Sequence, residues 1–96
     1  MDLAGTEPPP DLSRPLMALW WLAKGGFAVG PEWARAHEIS QASEGVAAYD
    51  RVHALVHWIE GDEGNSAYWY RRAGVARVGE DPRAEWEAQV ADLGGG

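Results

Sequence analysis

No cysteine occurs among the 96 residues. Disulfide cross-links and thiolate metal ligands are thereby excluded, and packing alone must hold the chain together. Such a chain suits a reducing cytoplasm, the compartment we expect for it. Positive charge is also scarce: eight basic residues stand against fifteen acidic ones, a net charge of -7. Lys24 is the one lysine and only Arg71 and Arg72 adjoin, so there is no basic stripe to neutralise a phosphate backbone, and nucleic acid is not expected as a partner. Long apolar runs are missing too. Residues 16–23 are apolar, but a bilayer crossing needs about 20 residues, so no membrane partner is expected. Residues 1–10 are acidic and Pro-rich where a secretory signal would be basic. They read as a poorly ordered lead-in to a single helical domain over residues 11–93, with residues 94–96 as a flexible tail.

What the chain does have is aromatic bulk. A domain this short buries only about two-thirds of its unfolded surface, so its core must be dense. Six Trp, three Tyr and one Phe supply that density.

Capping residues divide the sequence into about five short helices, an all-α fold. Asp11 or Ser13 caps the first, Pro15 is tolerated in its first turn, and Gly25 and Gly26 stop it. Leu12, Leu16, Leu19 and Ala23 recur at helical spacing while Met17, Trp20, Trp21 and Leu22 widen the apolar surface, the mark of a helix that is central or covered by a second subunit. Adjacent Trp20 and Trp21 point about 100° apart, so one of them, taken as Trp21, is expected at an exposed patch or dimer face. A second helix runs from Pro31 to about Ala42, with Trp33, Ala36, His37 and Ser40 on one face. Ser43 caps a third from Glu44 to about Glu60, whose inward stripe is Ala48, Val52, Leu55, Val56 and Ile59, with His53 and His57 at its edge. Asp62, assisted by Asn65, starts a fourth that Gly74 closes. Asp81 and Pro82 start a fifth with a Trp86, Val90, Leu93 stripe. Residues 75–78 favour extended backbone but have no partner strand, so they read as a connector. Trp33, Trp58 and Trp86 are expected at the core or its edge.

Asp62, Ser66, Trp69, Tyr70 and Ala73 stand at the spacing of the second helix of Sel1-like repeats, which this segment resembles; Ser66, Tyr70 and Ala73 are similarly placed in tetratricopeptide repeats. The resemblance spans residues 46–74. It implies antiparallel helical hairpins whose small residues allow close approach, with the first two helices as a degenerate first hairpin and the fifth helix closing the domain. Two departures are visible: the turn is shortened to Glu60-Gly61-Asp62, and Gly74 replaces the second Ala of the usual pair. Residues 53–74 also resemble the His-rich and Tyr-Trp-Tyr-Arg-Arg segments of a family of short bacterial proteins, which implies an independent small protein and no particular activity.

His53, His57 and Glu60 fall on one face of the third helix. Neutral imidazoles at i and i+4 can grip a divalent ion such as zinc, a carboxylate three residues on can add a third ligand, and His37 or Glu38 from the second helix can join them. The same groups are the candidate catalytic residues of an acid/base or hydrolytic site. Ala54 occupies the position where zinc hydrolase helices carry a Glu, which removes the usual general base. A purely structural role is the competing expectation, with the histidines fastening helix three to its neighbours through backbone carbonyls or carboxylates. Tyr68, Trp69, Tyr70, Arg71 and Arg72 are the residue types of interaction hot spots. More than one turn of bulky side chains cannot all point inward, so part of this run is expected to face a partner. The sequence therefore favours a protein-interaction or self-association module, with a protein partner or homodimer, over catalysis. Metal or acid/base chemistry is the alternative, and a small-molecule site lined by Trp and Tyr is a second.

Overall fold

The five helices of the computed structural model, which describes residues 1–94, are α1 (Arg14–Lys24), α2 (Pro31–Gln41), α3 (Ala47–Ile59), α4 (Glu63–Ala73) and α5 (Pro82–Gly94). There is no strand among the described residues, and no helix is long and apolar enough to cross a membrane.

Local chemistry sets most helix ends. Ser13 caps α1, its Oγ accepting from the Leu16 N–H, and Pro15 lies in the first turn. Asp62 caps α4 by accepting from the Asn65 N–H at 3.2 Å, and Asp81 does the same for α5, accepting from the Ala84 N–H at 2.8 Å. At the far end of α4, Gly74 adopts φ 74°, its N–H donates to the Arg71 carbonyl and the Val75 N–H donates to the Tyr70 carbonyl. That is the left-handed cap that glycine adopts without a Cβ penalty.

One boundary differs from the sequence reading. α3 starts at Ala47 rather than Glu44, with Val46 in the cap position and no side-chain cap bond. The buried Asp50 carboxylate instead reaches back to the Gly45 N–H, at 3.0 and 3.2 Å, and holds residues 43–46 as a turn ahead of the helix. A carboxylate inside the first turn competes with a Ser cap and moves the start by three residues.

α3 is the hub, packing against each of the other four helices, and α1 packs against α2, α3 and α5. The all-round apolar α1 is therefore central within the chain. Leu16, Ala18, Leu19, Leu22, Ala36, Ile39, Val52, Leu55 and Val56 form the main core, and Ala54, Trp69 and Tyr70 a second cluster between α3 and α4. Ser66 is buried there and its Oγ donates to the Ala54 carbonyl at 2.8 Å, so the small side chain at this position allows α3 and α4 to approach. Indole N–H groups fasten the elements. Trp33 donates to the Val56 carbonyl at 2.9 Å, Trp86 to the Leu19 carbonyl at 2.7 Å, and the fully buried Trp20 to the Asp2 carbonyl at 2.7 Å. The Trp20 bond and a Lys24 Nζ donation to the Leu3 carbonyl at 2.7 Å lay the N-terminal residues along α1.

A buried polar lock sits where α5 meets α4, and no periodicity in the sequence announces it. Glu85 is fully buried on α5. Its Oε2 accepts from the Tyr70 hydroxyl at 2.7 Å and from Gln89 Nε2 at 3.2 Å, while Oε1 accepts from the Val78 and Gly79 N–H groups at 3.0 and 2.9 Å. One carboxylate thus pins the 75–79 connector to two helices. Burial alone would raise its pKa, but the Gly79 N–H, the Tyr70 hydroxyl and the Val78 N–H together hold it below its ordinary 4.5. Tyr70 is shifted the other way, well above 10, by burial and by the hydrogen bond to Glu85.

Candidate metal centre

The side chain of His37 projects from α2 toward His53 and His57, one helical turn apart on α3. Trp33, four residues before His37, anchors this face of α2 to α3 through its indole bond to Val56. The consequence is a three-imidazole cluster. One nitrogen from each ring lies within 4.8 Å of the other two. His37 Nε2 and His53 Nε2 are 3.2 Å apart.

The cluster has aromatic walls. His53 stacks on Trp69 of α4 at 4.1 Å between centroids and on His57 at 4.8 Å, while Trp33 lies 5.0 Å from His37. Arg72 sits 5.4 Å over the Trp69 ring and carries the stack to the surface. His53 is 2% exposed and its Nδ1 has no hydrogen-bond partner. His37 is partly exposed, whereas the His57 side chain is only 12% exposed, so the cluster is most accessible from the His37 side.

Burial, reinforced by His57 and then His37, drives the His53 pKa from 6.5 to about 4. Burial and then His57 lower that of His37 as well, against the opposing pull of Glu60 and Glu44. Both rings are therefore neutral at pH 7, with lone pairs available either to a neighbouring N–H or to an ion.

Glu60 does not join His37 and His53. Its Oε1 lies 2.5 Å from His57 Nδ1, which leaves Nε2 of that ring for a shared ion. Asp62 groups with His57 and Glu60, but its carboxylate is committed to Asn65, accepting from the backbone N–H at 3.2 Å and from Nδ2 at 2.7 Å. Glu38 is exposed on α2 and lies outside both groups. Of the residues named from the sequence, His37, His53 and His57 converge, Glu60 supports one of them from behind, and Glu38 stands apart.

The aromatic run divides. Trp69 and Tyr70 are 9% and 6% exposed and belong to the interior, one under His53 and the other on Glu85. That corrects their expected place on a binding surface; five bulky residues wrap the helix, and α3 takes the two that face it. Tyr68, Arg71 and Arg72 are exposed, with Arg72 donating to the Tyr68 hydroxyl at 3.1 Å. Trp21 is half-buried, covered by Arg35 at 5.1 Å from its ring and by an edge contact with Trp20.

In comparisons with known proteins, no family model, no curated protein and no solved structure matches this chain. The functional reading therefore rests on the geometry.

Proposed function

We propose that the protein binds one divalent transition-metal ion through His37, His53 and His57. The observation that carries the reading is the convergence of three imidazole nitrogens within 4.8 Å of one another, two of them 3.2 Å apart. A tetrahedral zinc ion with Zn–N bonds of about 2.0–2.1 Å separates its nitrogen ligands by roughly 3.3 Å, and the His37–His53 nitrogen spacing is close to that value. Imidazole nitrogens are a donor type that zinc, copper and nickel favour. The carboxylate behind His57 reproduces the outer partner that orients metal-bound histidines.

The competing arrangement is an N–H of one ring donating to the other ring's lone pair between His37 and His53. Ligation through both Nε2 atoms requires His53 to carry its proton on Nδ1, where that N–H has no partner. An unpaired buried donor costs about 1–3 kcal/mol, whereas structural zinc sites release about 10–16 kcal/mol in apparent binding free energy. Even a site well short of that range outweighs the cost. A cytoplasmic setting belongs to this reading.

Calorimetric titration of the chelator-stripped protein with Zn²⁺ tests it. One ion per chain and a raised melting temperature are expected for the wild type, with at least a 10-fold weaker site in His37→Ala, whose ring is half-exposed and whose loss leaves the core intact. Absence of saturable uptake by the wild type overturns the proposal and leaves the cluster as a hydrogen-bonded fastening of α2 to α3.

A second reading, protein interaction or self-association, draws on one observation. α4 packs along α3 and otherwise meets a helix only where Tyr70 reaches α5, and its outward side carries the 41%-exposed Tyr68 with Arg71 and Arg72. Light scattering on the wild type and on Tyr68→Ala combined with Arg71→Ala tests self-association through that side; monomers in both cases remove it.

A further inference from the structure

Resting on the metal reading above, we infer that the site is coordinatively open: the ion keeps one position for a small monodentate ligand, water when nothing else is present and an anion when one is supplied. Three donors near the cluster already hold other partners. Glu60 Oε1 is occupied at His57 Nδ1, 2.5 Å away. Asp62 is occupied twice by Asn65. Ser66 donates to the Ala54 carbonyl, and Cys is absent from the sequence. The group that His37, His53 and His57 form contains no fourth protein donor among the described residues. Four-coordinate zinc with three protein ligands is the composition of reactive sites, whereas structural sites are closed by four.

The surroundings decide where the fourth ligand sits. Trp69 closes the cluster beneath His53, and Trp33 walls the His37 side of α2. Deep burial of His53 closes the interior direction. The partly exposed His37 ring leaves an approach from its own side, while the His57 side chain is only 12% exposed. A ligand entering there meets a cation held by neutral imidazoles, so the ion's double positive charge is uncompensated in its inner shell. That charge favours an anionic ligand, and it also lowers the pKa of a bound water toward neutrality. The chemical class expected is therefore a small anion offering one donor atom, for which azide is the probe.

Cobalt-substituted protein makes the position visible, because the visible bands of Co²⁺ respond to an exchanged ligand. Adding sodium azide to the Co²⁺-loaded wild type is expected to change those bands saturably, with one azide per ion. Glu60→Gln is expected to respond in the same way while binding Co²⁺ roughly 10–100-fold more weakly, since Glu60 only orients His57. Bands in the wild type that stay unchanged at an azide excess that perturbs aqueous cobalt overturn the open position, and with it this inference alone. A response confined to Glu60→Gln also overturns it, because Glu60 would then be the fourth ligand. Failure of the wild type to take up Co²⁺ overturns the metal reading and this inference together.

Discussion

Single residues carry more of this structure than their positions in the sequence advertise. Glu85 serves four donors at once. Glu85→Gln keeps one acceptor oxygen for the connector but turns an amide NH₂ toward the Tyr70 hydroxyl and Gln89, so a loss of about 2–4 kcal/mol is expected in urea unfolding. Gly79 is fixed by the same lock: a Cβ there would collide with the Glu85 backbone nitrogen, and Gly79→Ala is expected to cost about 1–3 kcal/mol. The folded-state pKa of Glu85 lies below 4.5, so the folded protein binds fewer protons than the unfolded chain through that window. Its contribution is complete above 4.5 and is lost as pH falls through the folded value. His53 has the same sign at higher pH. With metal removed, stability is expected to fall as pH drops from 6.5 toward 4, by about 2–3 kcal/mol for the site, and His53→Phe, which keeps the stack on Trp69, is expected to flatten that limb. Urea midpoints across pH in the presence of chelator measure both. An unchanged profile in His53→Phe would remove His53 from the acid limb.

At the scale of elements, helix ends were legible where the cap is local. Ser13, Asp62, Asp81 and Gly74 mark their boundaries within three or four residues of chain, so short-range hydrogen bonding alone identifies them. Asp62→Ala is expected to destabilise the protein by about 1 kcal/mol in thermal or urea unfolding, and an effect near zero would show that the Asn65 bonds do not hold the α3–α4 turn. The start of α3 was less legible, because Asp50 outcompetes Ser43 from inside the helix. α5 shows the larger limit. Its apolar stripe of Trp86, Val90 and Leu93 was readable and is partly buried against the core. Its most deeply buried side chains, Glu85 and Gln89, are polar, and their partners lie on α4, on α3 and in the connector. Periodicity registers hydrophobicity, so a satisfied carboxylate in the interior leaves no signal in it.

For the molecule as a whole, the histidine stripe on α3 was visible because i and i+4 spacing puts both rings on one face of any helix. The contribution of His37 depends on how α2 docks, which Trp33 and the shared core of Ala36 and Ile39 decide. Glu60, one turn on at the end of α3, faces the same ring, and its Oε1 lies 2.5 Å from His57 Nδ1. The cluster ties α2 to α3 and, through the His53 stack on Trp69, touches α4 as well. An ion bound there would bridge α2 to α3, the helix that packs against all the others, so its effect on stability should extend to the whole fold. The most direct test of that claim is X-ray absorption at the zinc edge of protein loaded with one equivalent of Zn²⁺. The predicted spectrum has three imidazole ligands at about 2.0–2.1 Å and one further light atom. A six-coordinate oxygen shell without imidazole scattering would contradict it, showing that zinc associates elsewhere and that His37, His53 and His57 only hold the helices together.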